Sequence, residues 1–256
     1  MSTKILYKEE EEVAYIILSE DNIKRPPTID FDVLDKLENT FNIIEKNDFK
    51  IKVIVLQSSS EKYFCAGANL NAIRELSPEK FIQWCKIGHL IFNRFQTLSI
   101  PTIAMIKGYA LGGGMEISMA CDLIFATENA YFGQPETSIG FIPGWGGTYR
   151  LVQRVGIAKA KELIYTAKII SAKEALEIGL INDIYPNDEA DIKLKEFLNL
   201  IKKNSKLALS YTKQIINMES VSEMEGVRYN EANSAGICLN SKSTKERLER
   251  FFKKSK

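Results

Sequence analysis

The sequence predicts an α/β fold on three observations: short runs rich in β-branched residues, amphipathic segments of helical period between them, and a glycine-rich turn that joins one such run to one such segment. Its 256 residues suit one large domain or two modest ones. With 45% apolar and 26% charged residues, the chain has the composition of an ordinary globular protein, neither disordered nor fibrous.

In order, residues 4–8 and 12–18 read as two strands, with the acidic run Glu9–Glu12 as a solvated turn between them. Residues 30–45 place Phe31, Leu34, Leu37, Phe41 and Ile44 three and four apart, which predicts a helix that Asp30 can cap. Residues 51–57 (IKVIVLQ) form a strand buried on at least one face, and a small-residue loop, SSSEKYFCAGANL, follows it. A long helix spans residues 78–97, carrying Phe81, Trp84, Cys85, Ile91, Phe92 and Phe95 on or near one face and His89 at its surface. Residues 101–106 are a further buried strand that runs into Gly108 and then Gly112-Gly113-Gly114. Three adjacent glycines are costly inside a strand or a helix, so they belong to the turn, with a helix from Met115 onward. Residues 122–127 read as a strand. Residues 158–166, 171–178, 188–203, 205–218, 222–237 and 243–254 read as helices, with Gly179 as a stop for the second of these.

Composition also excludes several classes. A net charge of +1 gives no overall field that favours nucleic acid or an anionic membrane. The first residues lack a basic start followed by an apolar run, and no apolar stretch approaches ~18 residues, so the expected location is the cytoplasm. Cys65, Cys85, Cys121 and Cys238 are scattered with no C-x-x-C pair, and His89 is the one histidine. That argues for four buried or half-buried thiols and against a zinc site, a disulfide framework or a histidine-dependent nucleophile.

The stretch from residue 106 to 148 carries the chemistry. A strand, a glycine turn and a helix bring unpaired backbone N–H groups and the positive end of a helix dipole to one point, where negative charge is stabilised. Neither G-x-G-x-x-G nor G-x-x-x-x-G-K-[ST] occurs, so the nucleotide motifs are unmatched. Taken singly, Glu116 reads as a first-turn carboxylate and Glu136, in a loop after Gly133-Gln134-Pro135, as a surface one. Together with Ala66-Gly67-Ala68, a segment whose small residues let a ligand approach the backbone, they form a candidate acid/base pair beside two oxyanion-binding N–H clusters. A reaction through an enolate requires that combination.

The segments FCAGANL (64–70), IKGYALGGGMEISMACDLIFAT (106–127), FGQPETSIGFIPGWGGTYRL (132–151) and ISAKEALEIGLINDIYP (170–186) closely resemble the enoyl-CoA hydratase/isomerase, or crotonase, family, in order from about residue 10 to 254. The resemblance implies a crotonase-like ββα spiral core over residues 1–200 and a C-terminal helical trimerisation region over residues 201–256, assembled as a homotrimer or a dimer of trimers. It also implies an acyl-CoA thioester substrate, with the carbonyl held by the backbone N–H groups of Ala68 and Gly113. No metal or redox cofactor enters that scheme, because coenzyme A is part of the substrate.

Family hydratases carry glutamates at the positions of Glu116 and Glu136, whereas its isomerases usually keep only the second, so the resemblance points to an enoyl-CoA hydratase. An isomerase or decarboxylase acting through the same enolate is the alternative within the family. A non-catalytic or RNA-binding protein on the same fold is the alternative of another class. Contacts to coenzyme A carry over to Lys24, Arg25, Ala66, Phe251 and Lys253. Three departures from the family pattern stand out: Pro27 where an asparagine is expected, Glu246-Arg247 in place of a Glu-Gly pair, and Trp145, which is bulkier than the common choices at the acyl site.

Overall fold

The computed structural model describes residues 3–22, 24–47, 50–221, 233, 235–240 and 242–254. Strands β1 (Lys4–Glu10) and β2 (Val13–Ser19) form an antiparallel hairpin, in register from Lys4 opposite Ser19 to Glu10 opposite Val13. The turn is tighter than the acidic run suggests. Only Glu11 and Glu12 make it, both at positive φ (48° and 70°), which leaves Glu9 and Glu10 in the strand. Glu9–Glu12 are exposed as expected, and at the tip Glu12 pairs with Lys52 at 3.2 Å and Glu11 with Lys202 at 3.3 Å.

Helix α1 (Phe31–Lys46) follows, capped as expected by Asp30, which accepts from the Val33 N–H at 3.1 Å. Phe31 departs from the predicted stripe. It lies in the first turn, beyond the core, and stays exposed against the Trp84 ring 5.8 Å away.

Three turns of a spiral then repeat one plan, in which each gives one strand to a large sheet, one to a small sheet, and then helix. The first comprises β3 (Val53–Ser58), β4 (Tyr63–Cys65), α2 (Leu70–Arg74) and α3 (Pro78–Thr97). The second comprises β5 (Thr102–Ile106), β6 (Tyr109–Leu111) and α4 (Gly113–Ala120). The third comprises β7 (Leu123–Thr127), β8 (Tyr131–Gly133), a 3₁₀ turn (Pro135–Ile139) and α5 (Gly147–Thr166). After these come β9 (Ile169–Ser171), α6 (Ala172–Glu177), β10 (Asp183–Tyr185), α7 (Ala190–Lys202), α8 (Lys206–Val221) and α9 (Lys242–Lys254). Most of the helix predicted over residues 222–237 lies outside the described residues.

The large sheet has the order β1-β2-β3-β5-β7-β10, parallel from β2 onward, and the small sheet has the order β4-β6-β8-β9. The continuous apolar runs follow from burial on both faces. In β3, Ile54 and Leu56 face the main core under α1 and α3, while Val53 and Val55 face a second layer closed by Leu194 and Leu198 of α7. Strands β4, β6 and β8 have only three residues each, too few for period-two alternation to announce them, and the sequence showed loops or a turn there.

Helix α3 corrects the expectation for His89. The residue is buried, 3% exposed, because the start of α5 covers that side of the helix and Tyr149 stacks on the imidazole at 6.3 Å. Gly88 beside it makes room for another ring. A Cβ there would lie 2.1 Å from Nε1 of the buried Trp145 indole. Two effects oppose each other in Gly88→Ala: helix propensity favours alanine by about 1 kcal/mol, and overpacking costs ~1–3 kcal/mol. The clash is with a buried ring, so chemical denaturation is expected to show net destabilisation. A more stable variant would place the indole elsewhere.

Candidate active site

The second and third turns of the spiral position the two glutamates. Helix α4 begins two residues earlier than the pattern suggests, at Gly113, so two of the three glycines are helical. Close approach is the reason. A Cβ at Gly114 would lie 2.1 Å from the Cys65 carbonyl oxygen, and one at Gly113 would lie 2.5 Å from the Trp145 ring. Gly112, at φ 51° and ψ −124°, turns the chain into the helix, and a Cβ there would lie 2.8 Å from Glu136 Oε1.

The first turn of the spiral supplies the facing loop. Residues 27–29 and 66–69 pair along their backbones: Ala66 N–H donates to the Pro27 carbonyl (2.9 Å), Ile29 N–H to Gly67 (2.8 Å) and Asn69 N–H to Ile29 (2.8 Å). The ladder uses only the carbonyl of Pro27, so the missing N–H of proline costs nothing at this position. It also turns the Ala68 N–H away from residue 29. Gly113 is the first residue of α4 and has no intrahelical acceptor. Among the described residues, neither N–H donates to another protein group. The two segments touch, because a Cβ at Gly67 would lie 2.8 Å from the Gly113 nitrogen.

Glu116 is 2% exposed, and its Oε1 accepts two backbone N–H groups, from Trp145 and Gly147, both at 2.8 Å. Burying a carboxylate costs several kcal/mol unless hydrogen bonds replace water. These two supply that replacement and fix the direction of the side chain. Glu136 is half-buried and lies in the 3₁₀ turn rather than in an irregular loop. Its position is held by the Phe141 N–H, which donates to its carbonyl at 3.0 Å, and by the buried amide of Gln134, 3.2 Å from both carboxylate oxygens. A carboxylate can only accept, so the amide is oriented with its nitrogen toward Glu136.

One cavity of about 320 Å³ collects these groups. Ala66, Ala68, Gly113, Glu116, Glu136 and Phe251 all line it, with Phe81, Trp84, Cys85, Phe141 and Trp145 among the apolar wall. Lys24, Arg25 and Lys253 do not; they are exposed on the surface. Sequence reasoning missed the N–H groups of Trp145 and Gly147 and the amide of Gln134. The glycines of PGWGGT, which leave its backbone bare, were the available signal.

A ββα spiral in which one strand of each turn joins each sheet, with helix N-terminus and small-residue loop meeting at a cavity, defines the crotonase fold. The chain belongs to the enoyl-CoA hydratase/isomerase family, whose sequence model matches residues 8–256. It is 34% identical to a short-chain-enoyl-CoA hydratase of Clostridium acetobutylicum, over 98% of this chain and 95% of that protein. It is 31% identical to a crotonyl-CoA hydratase of Syntrophomonas wolfei, over 98% and 96%. A solved enoyl-CoA hydratase structure from Bacillus anthracis superposes with a TM-score of 0.79 at 32% identity, covering 99% of this chain and 97% of that one. No helix among the described residues is long and apolar enough to cross a membrane.

Cys65, at the root of the Ala66–Ala68 loop, is no nucleophile at neutral pH. Burial pushes its thiol up to about 12, and burial does the same to Cys121. Brief iodoacetamide treatment of the native protein at pH 8, read by peptide mass mapping, is therefore expected to leave both unmodified. Rapid alkylation of Cys65 would contradict the packing of α4 on β4.

Proposed function

We propose that this protein is an enoyl-CoA hydratase, a hydro-lyase that adds water reversibly and with syn geometry across a trans-2-enoyl-CoA to give the 3-hydroxyacyl-CoA. The observation that carries the reading is the shared cavity: two carboxylates with fixed directions and two unused backbone donors, all facing one apolar space. The family membership and the similarity to hydratases support it.

In this reading the thioester oxygen accepts from the Ala68 and Gly113 N–H groups, each worth roughly 3–4 kcal/mol to a developing oxyanion on the scale of other such sites. Glu116 orients a water and takes its proton as the oxygen bonds to C3, and the C2–C3 π electrons move into the thioester enolate. Glu136 holds the same water and delivers a proton to C2. Glu116 enters this step as the carboxylate and Glu136 as the carboxylic acid; Glu116 gains a proton as Glu136 loses one, and transfer through the next water resets the pair. An isomerase needs only one shuttling carboxylate; the buried, doubly hydrogen-bonded Glu116 favours hydration.

The apolar wall also points to a short acyl chain. Trp145 and Trp84 meet edge to face at 4.8 Å, and Phe92 backs Trp145 at 5.3 Å, so the cavity ends on packed aromatic rings. The same reading carries Lys24, Arg25 and Lys253 as weak coenzyme A contacts at the rim, a cytoplasmic location and no further cofactor. It also carries a homotrimer or dimer of trimers through residues 201–256, supported by exposed Leu207, Tyr211 and Ile216 on α8.

Two measurements test this. The ultraviolet absorbance of the conjugated enoyl thioester of crotonyl-CoA should fall on addition of enzyme, and Glu116→Gln and Glu136→Gln should each lower kcat by ~100-fold or more; no hydration of short, medium or branched enoyl-CoAs would end the proposal. Trp145→Ala should raise kcat/KM for an enoyl-CoA of about ten carbons relative to crotonyl-CoA by roughly 10-fold, on the scale of a few buried methylenes. An unchanged ratio would mean that another group sets chain length.

A further inference from the structure

The Gly144–Gly147 loop that holds Glu116 has three glycines in four residues, and little of its shape is set by its own side chains. A buried cation lies beneath it. Arg150, in the first turn of α5, is 1% exposed and folds back under the loop so closely that a Cβ at Gly146 would lie 2.1 Å from its Nη1. Its fork reaches three acceptors. Nη1 donates to the Trp145 carbonyl at 2.7 Å, Nη2 to Asn93 Oδ1 at 2.7 Å, and Nε and Nη2 to Gln96 Oε1 at 3.1 Å each. Asn93 and Gln96 both belong to α3, so the guanidinium is braced against a long helix.

The peptide order gives this arrangement its consequence. The Trp145 N–H belongs to the 144–145 peptide and the Gly147 N–H to the 146–147 peptide, and both donate to Glu116 Oε1. The carbonyl that Arg150 grips belongs to the peptide between them. Clamping the middle plane of three sets the tilt of the outer two. Two buried charges of opposite sign, Glu116 and Arg150, are thereby joined through one loop, which bonds the anion with its N–H groups and the cation with its carbonyl.

We propose that Arg150 is a positioning residue for Glu116: it does not line the cavity that the two glutamates share, and it acts by holding the peptide whose neighbours aim the carboxylate at C3. The planar fork is essential to this role, because a lysine ammonium cannot bridge Trp145, Asn93 and Gln96 in one plane. The inference rests on the hydratase reading above.

The test is a double-mutant cycle on crotonyl-CoA hydration. Arg150→Lys, which keeps the buried charge and most of the stem, should lower kcat by about 10-fold or more with KM within about 3-fold. In a Glu116→Gln background the same change should lower kcat less than about 2-fold, because the group through which Arg150 acts is already lost. Equal losses in both backgrounds, or wild-type kcat in Arg150→Lys, would overturn the proposal. Arg150→Ala gives an independent reading. Arg150 also borders a second cavity of about 470 Å³, lined further by Gln96, Arg154 and Asn217, through which guanidinium can reach the vacated space. Guanidinium chloride at about 20 mM should restore kcat of Arg150→Ala several-fold, whereas sodium chloride at the same concentration should not; restoration by both salts or by neither would count against the fork. Wild-type enzyme without any hydration would overturn the hydratase reading itself, which separates that failure from a failure of Arg150.

Discussion

The structure depends on a backbone-to-backbone contact between the first and second turns of the spiral. At Gly114 the helix backbone presses on the Cys65 carbonyl, and at Gly67 the facing loop presses on the Gly113 nitrogen, in both cases closer than any side chain allows. Glycines in a helix cost roughly 0.5–1 kcal/mol each relative to alanine. Here that cost accompanies an arrangement nothing else provides, in which the N-terminus of α4 meets the Ala68 loop and two N–H groups face one cavity. The small sheet follows from the same contact, since β4 and β6 pair only when their turns of the spiral are this close.

The second constraint is that the backbone aims the carboxylates. Side chains with several rotatable bonds would otherwise lose their direction in an apolar cavity. Glu116 is held by two N–H groups of a glycine-rich loop, and Glu136 by a 3₁₀ turn and the Gln134 amide. The aromatic cluster of Trp84, Trp145 and Phe92 then serves two ends at once: it seats the Trp145 ring between α3 and the start of α4 and closes one side of the cavity. Gly88, an unpromising residue for the middle of a helix, is explained by that cluster rather than by any property of α3.

Much of this was legible in the sequence because its physical signals are local. Asp30, three positions before the N–H it caps, and the apolar spacing of α3 need no tertiary information. The β-branched runs of β3 and β5 show their burial directly. The family resemblance brought Ala68, Gly113, Glu116 and Glu136 together as one site, and the structure places all four on one cavity. What the sequence hid was relational. Strands of three residues have no period to detect, His89 is buried by a helix about sixty residues later in the chain, and the donors to Glu116 are backbone atoms of Trp145 and Gly147 with no side-chain signature. Lys24, Arg25 and Lys253 were carried over by position, and they stand apart from the cavity because an exposed basic side chain is not placed by packing.

The central claim is that one acyl thioester meets two backbone donors and two carboxylates at the same time. A crystal structure of the protein with a 3-ketoacyl-CoA, which cannot be hydrated, tests it most directly. The account predicts the thioester oxygen within about 2.7–3.1 Å of both the Ala68 and Gly113 nitrogens, with C3 facing Glu116 and C2 facing Glu136. A thioester oxygen bonded to solvent, or an acyl chain lying outside the cavity with either carboxylate turned from it, would contradict the account.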